Sequence, residues 1–318
     1  MAQTPFVVNP VLTAVALTYR NAKLIADDVL PRVPVESPVF AYTKYTTADA
    51  FTVPNTLVGR KGDVNEIDWS ATQSTASVED HGLEDPIPNR DILTARAAGA
   101  TNVDPERRST ELLTDLIALD REVRVAALLT ATANYAAGNS TTLSSTGQWS
   151  DYTNSDPITA ILTAMDGMLV RPNIGVIGRA VYTKLRMHPK VVAAAFAHGG
   201  NAATGGLTSK QVIADLLELD DIYIGEGWVN TAKKGQTATL ARVWGKDAAF
   251  LYQNPLTQSA DNSQVTFGFT AEWGGRVAGS FEDNDIGLRG GVRVRVGESL
   301  KELVVANDVG YLFKAAVA

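Results

Sequence analysis

From Glu106 to Ala137 the chain contains neither glycine nor proline, and this uninterrupted run constrains the fold more than any other feature. Asp104-Pro105-Glu106 opens it as a helix should open. Asp suits the N-cap, Pro the first helical position, and Glu the positive end of the helix dipole. Leu112, Leu116, Leu119, Val123 and Ala126 recur at steps of four and three, and Leu113, Ile117 and Leu128 widen the stripe. The pattern predicts a helix over about 105–135, roughly 45 Å long at 1.5 Å per residue. Ordinary helices run about three turns. A helix of this length is expected to be the spine of an extended body rather than part of a compact one.

The flanking segments fit that expectation. Asn9-Pro10 reads as a helix start, Leu12, Val15, Ala16, Tyr19 and Lys23 follow helical spacing, and Leu30-Pro31 ends the segment. Between Ser37 and Pro88, Phe40, Tyr42, Tyr45, Phe51 and Val53 alternate with Thr and Ala. The turn Gly59-Arg60-Lys61-Gly62-Asp63 follows, then Val64, Ile67 and Trp69. This predicts a long two-stranded hairpin with too few large apolar residues for a core. Such a hairpin is marginal alone in water, so it is expected to lie on this chain's body or on another subunit.

After a polar linker over 138–156, helices and strands alternate. Asp156-Pro157 starts a helix with Ile158, Ile161, Leu162, Met165 and Leu169 on one face. Asn173–Gly178 reads as a buried strand, Arg179–Met187 as a helix, and Gly199–Gly206 as a mobile glycine-rich loop. Thr208-Ser209-Lys210-Gln211 reads as a capping box. Strands are expected at 222–224 and 240–244. Beyond Asn254-Pro255, Val265, Phe267, Phe269, Ala271 and Trp273 alternate as a strand, as do Val292, Val294 and Val296 with Arg293 and Arg295. Leu303-Val304-Val305 and Tyr311-Leu312-Phe313 close the chain. The spine helix and the C-terminal strands are expected to form one domain, with an α/β unit inserted between them.

The chemistry available to the chain is narrow. Its 318 residues include no cysteine and only three histidines, and its formal net charge is −7. Thiolate metal sites, iron–sulfur clusters and cysteine nucleophiles are excluded, and no metal or cofactor is expected. The acidic balance gives no electrostatic reason to bind nucleic acid over the whole surface. No apolar run is long enough to span a bilayer, and no membrane partner is expected. Gly200 to Gly205 has the glycine spacing of a phosphate loop, but Gly206 and Leu207 stand where Lys and Ser or Thr must follow. Glu282-Asp283-Asn284-Asp285 lacks EF-hand spacing, and Glu79-Asp80-His81 with Glu84-Asp85 reads as a solvated polar edge. No Gly-x-Ser-x-Gly elbow occurs. The weight falls on a structural or binding role, not on an enzyme.

In this order, an N-terminal arm, a long hairpin, a spine helix, an inserted α/β unit and closing strands resemble the major capsid protein of tailed bacteriophages. Ile25-Ala26-Asp27-Asp28-Val29-Leu30-Pro31-Arg32-Val33-Pro34-Val35 looks like that family's arm-to-hairpin segment. The segment from Val176 to Pro189 is similar to its strand–helix signature, and Asn307-Asp308-Val309-Gly310-Tyr311-Leu312-Phe313 to its closing strand. The resemblance implies the α+β Johnson fold of Hong Kong-type phage capsids. It makes 1–36 an N-arm, 37–88 an extended loop, and 89–154 with 261–318 a peripheral domain whose spine is 104–136. It makes 155–260 the axial domain.

The resemblance implies an icosahedral shell around double-stranded DNA, built from hexamers and pentamers in the host cytoplasm and carried in the virion. It implies a portal, a candidate decoration protein and, because only about 36 residues precede the hairpin, a separate scaffolding protein rather than a large cleaved prodomain. Candidate inter-subunit contacts are Leu12, Tyr19, Phe40, Tyr42, Tyr45, Phe51, Arg60, Lys61 and Trp69. Candidate DNA-facing residues are Arg107, Arg108, Arg121 and Arg124. Two other readings remain open at this point. An encapsulin-type compartment shares the fold but encloses protein cargo. A cytoplasmic α/β enzyme would stay a monomer or small oligomer.

Overall fold

A computed structural model of the chain describes residues 12–13, 24–45, 53–60, 62–66, 71–97, 104–197, 206–233, 235–254 and 265–318. The first half contains α1 (Ala26–Val29), β1 (Arg32–Val35), β2 (Val39–Tyr45), β3 (Ala71–Ser77), β4 (Glu79–Pro88), α2 (Asn89–Ala97), the spine α3 (Pro105–Leu129) and β5 (Ser140–Thr142). The α/β stretch adds α4 (Pro157–Asp166), β6 (Ile174–Gly178), α5 (Arg179–Arg186), α6 (Pro189–Ala197), α7 (Lys210–Leu216), β7 (Asp221–Gly225), β8 (Trp228–Asn230), β9 (Leu240–Arg242) and β10 (Ala248–Leu251). The chain closes with β11 (Gly268–Asp283), β12 (Gly291–Val304) and β13 (Gly310–Lys314).

Two larger sheets organise these elements. The first has the order β1-β11-β12-β4, with β1 parallel to β11 and the other neighbours antiparallel. The second has the order β5-β13-β10-β6-β7. It draws on more of the chain than 155–260, because β13 and β5 pair beside β10. Trp149, Phe250 and Phe313 pack in its core, and Val317 at the end of the chain is 2% exposed.

The spine helix forms where the sequence predicts, with Asp104 accepting a hydrogen bond from the Glu106 N–H at 3.2 Å. It ends at Leu129, short of 135. Its last carbonyls are taken by side chains: Leu128 O by Asn134 Nδ2 at 2.7 Å, Leu129 O by the Tyr135 hydroxyl at 2.7 Å, and Thr130 O by Lys314 Nζ at 2.8 Å. Orphan carbonyls satisfied in this way terminate a helix.

The buried stripe is also not the expected one. Leu113, Ile117, Arg121, Val125 and Leu129 face the interior, whereas Leu112 and Leu116 are 57% and 54% exposed. Steps of four residues drift around the axis by about 40° each at 3.6 residues per turn. The stripe therefore turns as the helix passes from Val294 and Val296 to the cluster around Val176 and Trp244. A charged residue at its centre, Arg121, hides it from a hydrophobicity pattern.

The hairpin is divided. β2 and β3 pair over seven residues, from Val39↔Ser77 to Tyr45↔Ala71. β4 leaves the hairpin and joins the first sheet through β12. In the α/β unit, Asp156 caps α4 as predicted, accepting from Thr159 N at 3.2 Å. Ser209 rather than Thr208 caps α7, and Thr208 is buried. β6 is buried throughout, as predicted. The glycine-rich loop lies outside the described residues up to Thr204 and Gly205.

Candidate assembly surfaces and the junction that aims them

The arm, the spine, β11 and the α/β unit meet at two adjacent spine residues. Glu122 is buried. Its carboxylate accepts from the N–H groups of Ile25 (3.0 Å) and Ala26 (2.8 Å) and from Trp244 Nε1 (2.5 Å). Arg121, 2% exposed, donates to Leu30 O (3.1 Å) and Thr270 Oγ1 (3.0 Å) and pairs with Asp27. The short helix α1 is thus held at both ends. An anion meets its N–H groups and a cation meets the carbonyl beyond its last turn, as the helix dipole favours. Through Trp244 the same carboxylate ties the spine to the α/β unit. Close packing fixes that tie: a Cβ on Gly225 would lie 2.0 Å from Trp244 Cδ1, so only glycine fits there.

Around this pair lies a ring of opposed charges. Glu298, its side chain fully buried, receives Arg32 at 2.9 Å and Arg276 at 3.0 Å. Glu302 receives Arg124 at 2.9 Å. Burial raises the Asp27 and Glu298 carboxyls, but the neighbouring guanidinium groups outweigh it and hold both below the ordinary carboxylate range, Asp27 at about 2. For Glu122 burial dominates and the carboxyl is pushed up, against its donors and Arg121. Burial, reinforced by Arg32, lowers Arg121. Such buried pairs fix geometry more than they add stability.

The expected contact residues are divided by this geometry. Phe40 and Tyr42, two residues apart and so on one face of β2, are each 9% exposed. They pack on their own body with Val33, Phe269, Ala271 and Leu303. Leu12 likewise packs in its own chain with Ile87, Leu113, Ile117 and Val294. Arg60 is exposed near the end of the hairpin, and Tyr45 ends β2. Tyr19, Phe51, Lys61 and Trp69 lie outside the described residues. Beyond the stem, Val53, Leu57 and Val64 are 90%, 82% and 76% exposed.

Of the candidate DNA-facing arginines, Arg121 is buried, and Arg124 is partly buried and engaged by Glu302 and Asp120. Arg107 is exposed and pairs with Glu111 at 3.2 Å, and Arg108 is exposed. Sequence reasoning missed Asp27, Arg32, Glu122, Arg276 and Glu298. The one available signal was Arg121 on the same four-residue step as Leu113, Ile117, Val125 and Leu129, with Glu122 beside it.

One constellation has the outline of a nucleophile and base. His188 Nε2 lies 3.0 Å from Ser155 Oγ. But Lys190 N–H donates to His188 Nδ1 at 3.2 Å, so Nδ1 accepts and Nε2 carries the proton. Ser155 Oγ in turn donates to Asp151 O at 2.6 Å. A serine nucleophile needs the opposite polarity. Both side chains are buried, and burial lowers the His188 pKa. The pair fastens the 151–157 turn to the start of α6.

The described residues thus combine a spine helix docked on a sheet, an α/β unit locked to it through one carboxylate, and a hairpin whose far end no described residue covers. No family model matches the chain. A major capsid protein of Pseudomonas phage JBD67 is 50% identical over 318 residues, all of both chains. The major capsid protein of Burkholderia phage BcepMu is 26% identical over 317 residues, 96% of this chain and 95% of that one. Among solved structures, a phage-related protein of Bordetella bronchiseptica superposes with a TM-score of 0.74 at 22% identity, over 98% of both chains. The capsid of cyanophage P-SCSP1u does so with 0.61 at 13% identity, over 95% of this chain and 90% of that one. These likenesses show the Johnson fold of phage capsid proteins. The chain belongs to the family of phage major capsid proteins.

Proposed function

We propose that this chain builds an icosahedral shell around double-stranded DNA, with each hairpin laid across a neighbouring subunit. The observation that carries this reading is the hairpin end, where Val53, Leu57 and Val64 stand in solvent. Exposed apolar groups clustered on one segment mark an interaction site, and capsid-protein relatives supply the partner as further copies of this chain. A separate scaffolding protein, a portal, a decoration protein and weak contacts from Arg107 and Arg108 to DNA complete the proposal. The reading assigns the chain no reaction.

Replacing residues 47–69 by a short Gly-Ser turn tests it. The stem residues Phe40 and Tyr42 stay in place, so the subunit is expected to fold with unchanged circular dichroism and to form no closed particles by electron microscopy. Normal shells from this variant would contradict the reading.

A further inference from the structure

β4 is an outer strand of the first sheet, and one of its edges is open among the described residues. The direction of its backbone groups follows from one bond and the register. Asn89 N donates to Gly290 O at 3.0 Å, and Pro88 pairs with Gly291. In an antiparallel ladder, residues alternate between bonding inward and pointing away. The odd positions of β4 therefore bond to β12, and positions 80, 82, 84, 86 and 88 point outward. Pro86 and Pro88 lack the N–H that would point outward, which blunts that half of the edge. Three donors remain in a row, at Asp80, Gly82 and Glu84, with the outward carbonyls beside them.

The same stretch is acidic. Glu79 is answered by Lys301, and Glu84 by Arg293 and Arg295. Among the described residues Asp80 and Asp85 meet hydroxyls, from Ser299 at 2.5 Å and Ser109 at 2.7 Å, and no cation. Leu83 is 40% exposed on the same strand. Pairing of two such edges would set Asp80 opposite Glu84 about Gly82, so charge opposes self-pairing.

The hairpin end has the complementary lack. Residues 53–58 belong to no strand, carry exposed Val53, Leu57 and Val58, and lead into Arg60, which is exposed and followed in sequence by Lys61. The geometry points to the 55–60 segment of a second copy adding as a strand to the open edge of β4, with Arg60 drawn to Asp80 and Asp85. Backbone pairing would supply affinity and the charges the register. This rests on the reading that the hairpin reaches a neighbour, and it names where the hairpin lands.

The chain has no cysteine, so paired cysteines in assembled particles locate the hairpin. Arg60→Cys with Asp80→Cys is expected to form an inter-subunit disulfide under mild oxidation. In particles, the amides of Asp80, Gly82 and Glu84 should exchange at least a hundredfold more slowly than in the unassembled subunit. Asp80→Pro removes one outward donor and is expected to cut particle yield at least tenfold. Asp80→Ala, which keeps that donor but loses one charge facing Arg60, should lower the yield several-fold less than Asp80→Pro, both variants melting close to the parent. If Arg60→Cys instead links to Leu112→Cys on the spine, the hairpin does reach a neighbour and the β4 landing site is wrong. If it links to neither and the three amides exchange freely, both the landing site and the reading beneath it fall. Protected amides without an Arg60 link would assign the edge to another strand and overturn the inference.

Discussion

Arg121 and Glu122 show how much of this fold depends on two side chains that an apolar pattern passes over. Arg121 answers Asp27, Leu30 O and Thr270, so Arg121→Met removes a buried guanidinium and its bonds, leaving Leu30 O to Thr270 Oγ1 and Asp27 to Arg32. A loss of about 1.5–3 kcal/mol is expected in urea unfolding of the unassembled subunit, the usual size for losing hydrogen bonds to a charged group. The sign of the pH dependence follows from the depressed carboxyls. Asp27 and Glu298 have folded-state pKa values below their unfolded ones. Their stabilisation is complete above the ordinary carboxylate range of roughly 4, and it is lost as pH falls toward Asp27's value of about 2. The melting temperature should therefore drop steeply across that window. Asp27→Asn should flatten the drop, and parallel curves for the two proteins would contradict the assignment.

Among the elements, the spine helix shows what the sequence discloses and what it withholds. Its start at Asp104-Pro105 was legible because capping is local chemistry. Its end was not, because Asn134, Tyr135 and Lys314 close it from downstream segments, the last of them nearly two hundred residues away. Its apolar residues were legible, but not which of them are buried. Leu113→Ala is expected to cost about 2–4 kcal/mol, as large-to-small changes in cores do, since Leu113 is 7% exposed. Leu112→Ala should leave the subunit within about 0.5 kcal/mol of its parent. Thermal unfolding of both variants checks the pair, and equal losses would mean that the two faces are assigned the wrong way round. The hairpin teaches the same lesson. Alternation in 39–45 identified a strand, but only the partner strand shows that Phe40 and Tyr42 face their own body. Likewise β4 reads as a polar edge from its residues, and only its register with β12 turns that edge into a row of free donors.

At the scale of the whole molecule, the order of segments was more informative than any motif. Chain order suggested an arm, hairpin, spine, inserted α/β unit and closing strands, and the described residues include the hairpin stem, the spine and the closing strands. The mixing of those parts was invisible, because β5 and β13 come together from distant parts of the chain to complete the second sheet. The spine and the α/β unit are joined at Glu122 and Trp244, while no described residue covers Val53, Leu57 or Val64 at the hairpin end. A subunit built in this way completes its burial only beside copies of itself. High-resolution electron cryomicroscopy of particles assembled from this chain tests that claim most directly. Closed shells in which Val53, Leu57 and Val64 of every hairpin are buried against a neighbouring subunit are the predicted result. A hairpin end left in solvent throughout the shell, or a chain that stays monomeric under assembling conditions, would contradict it.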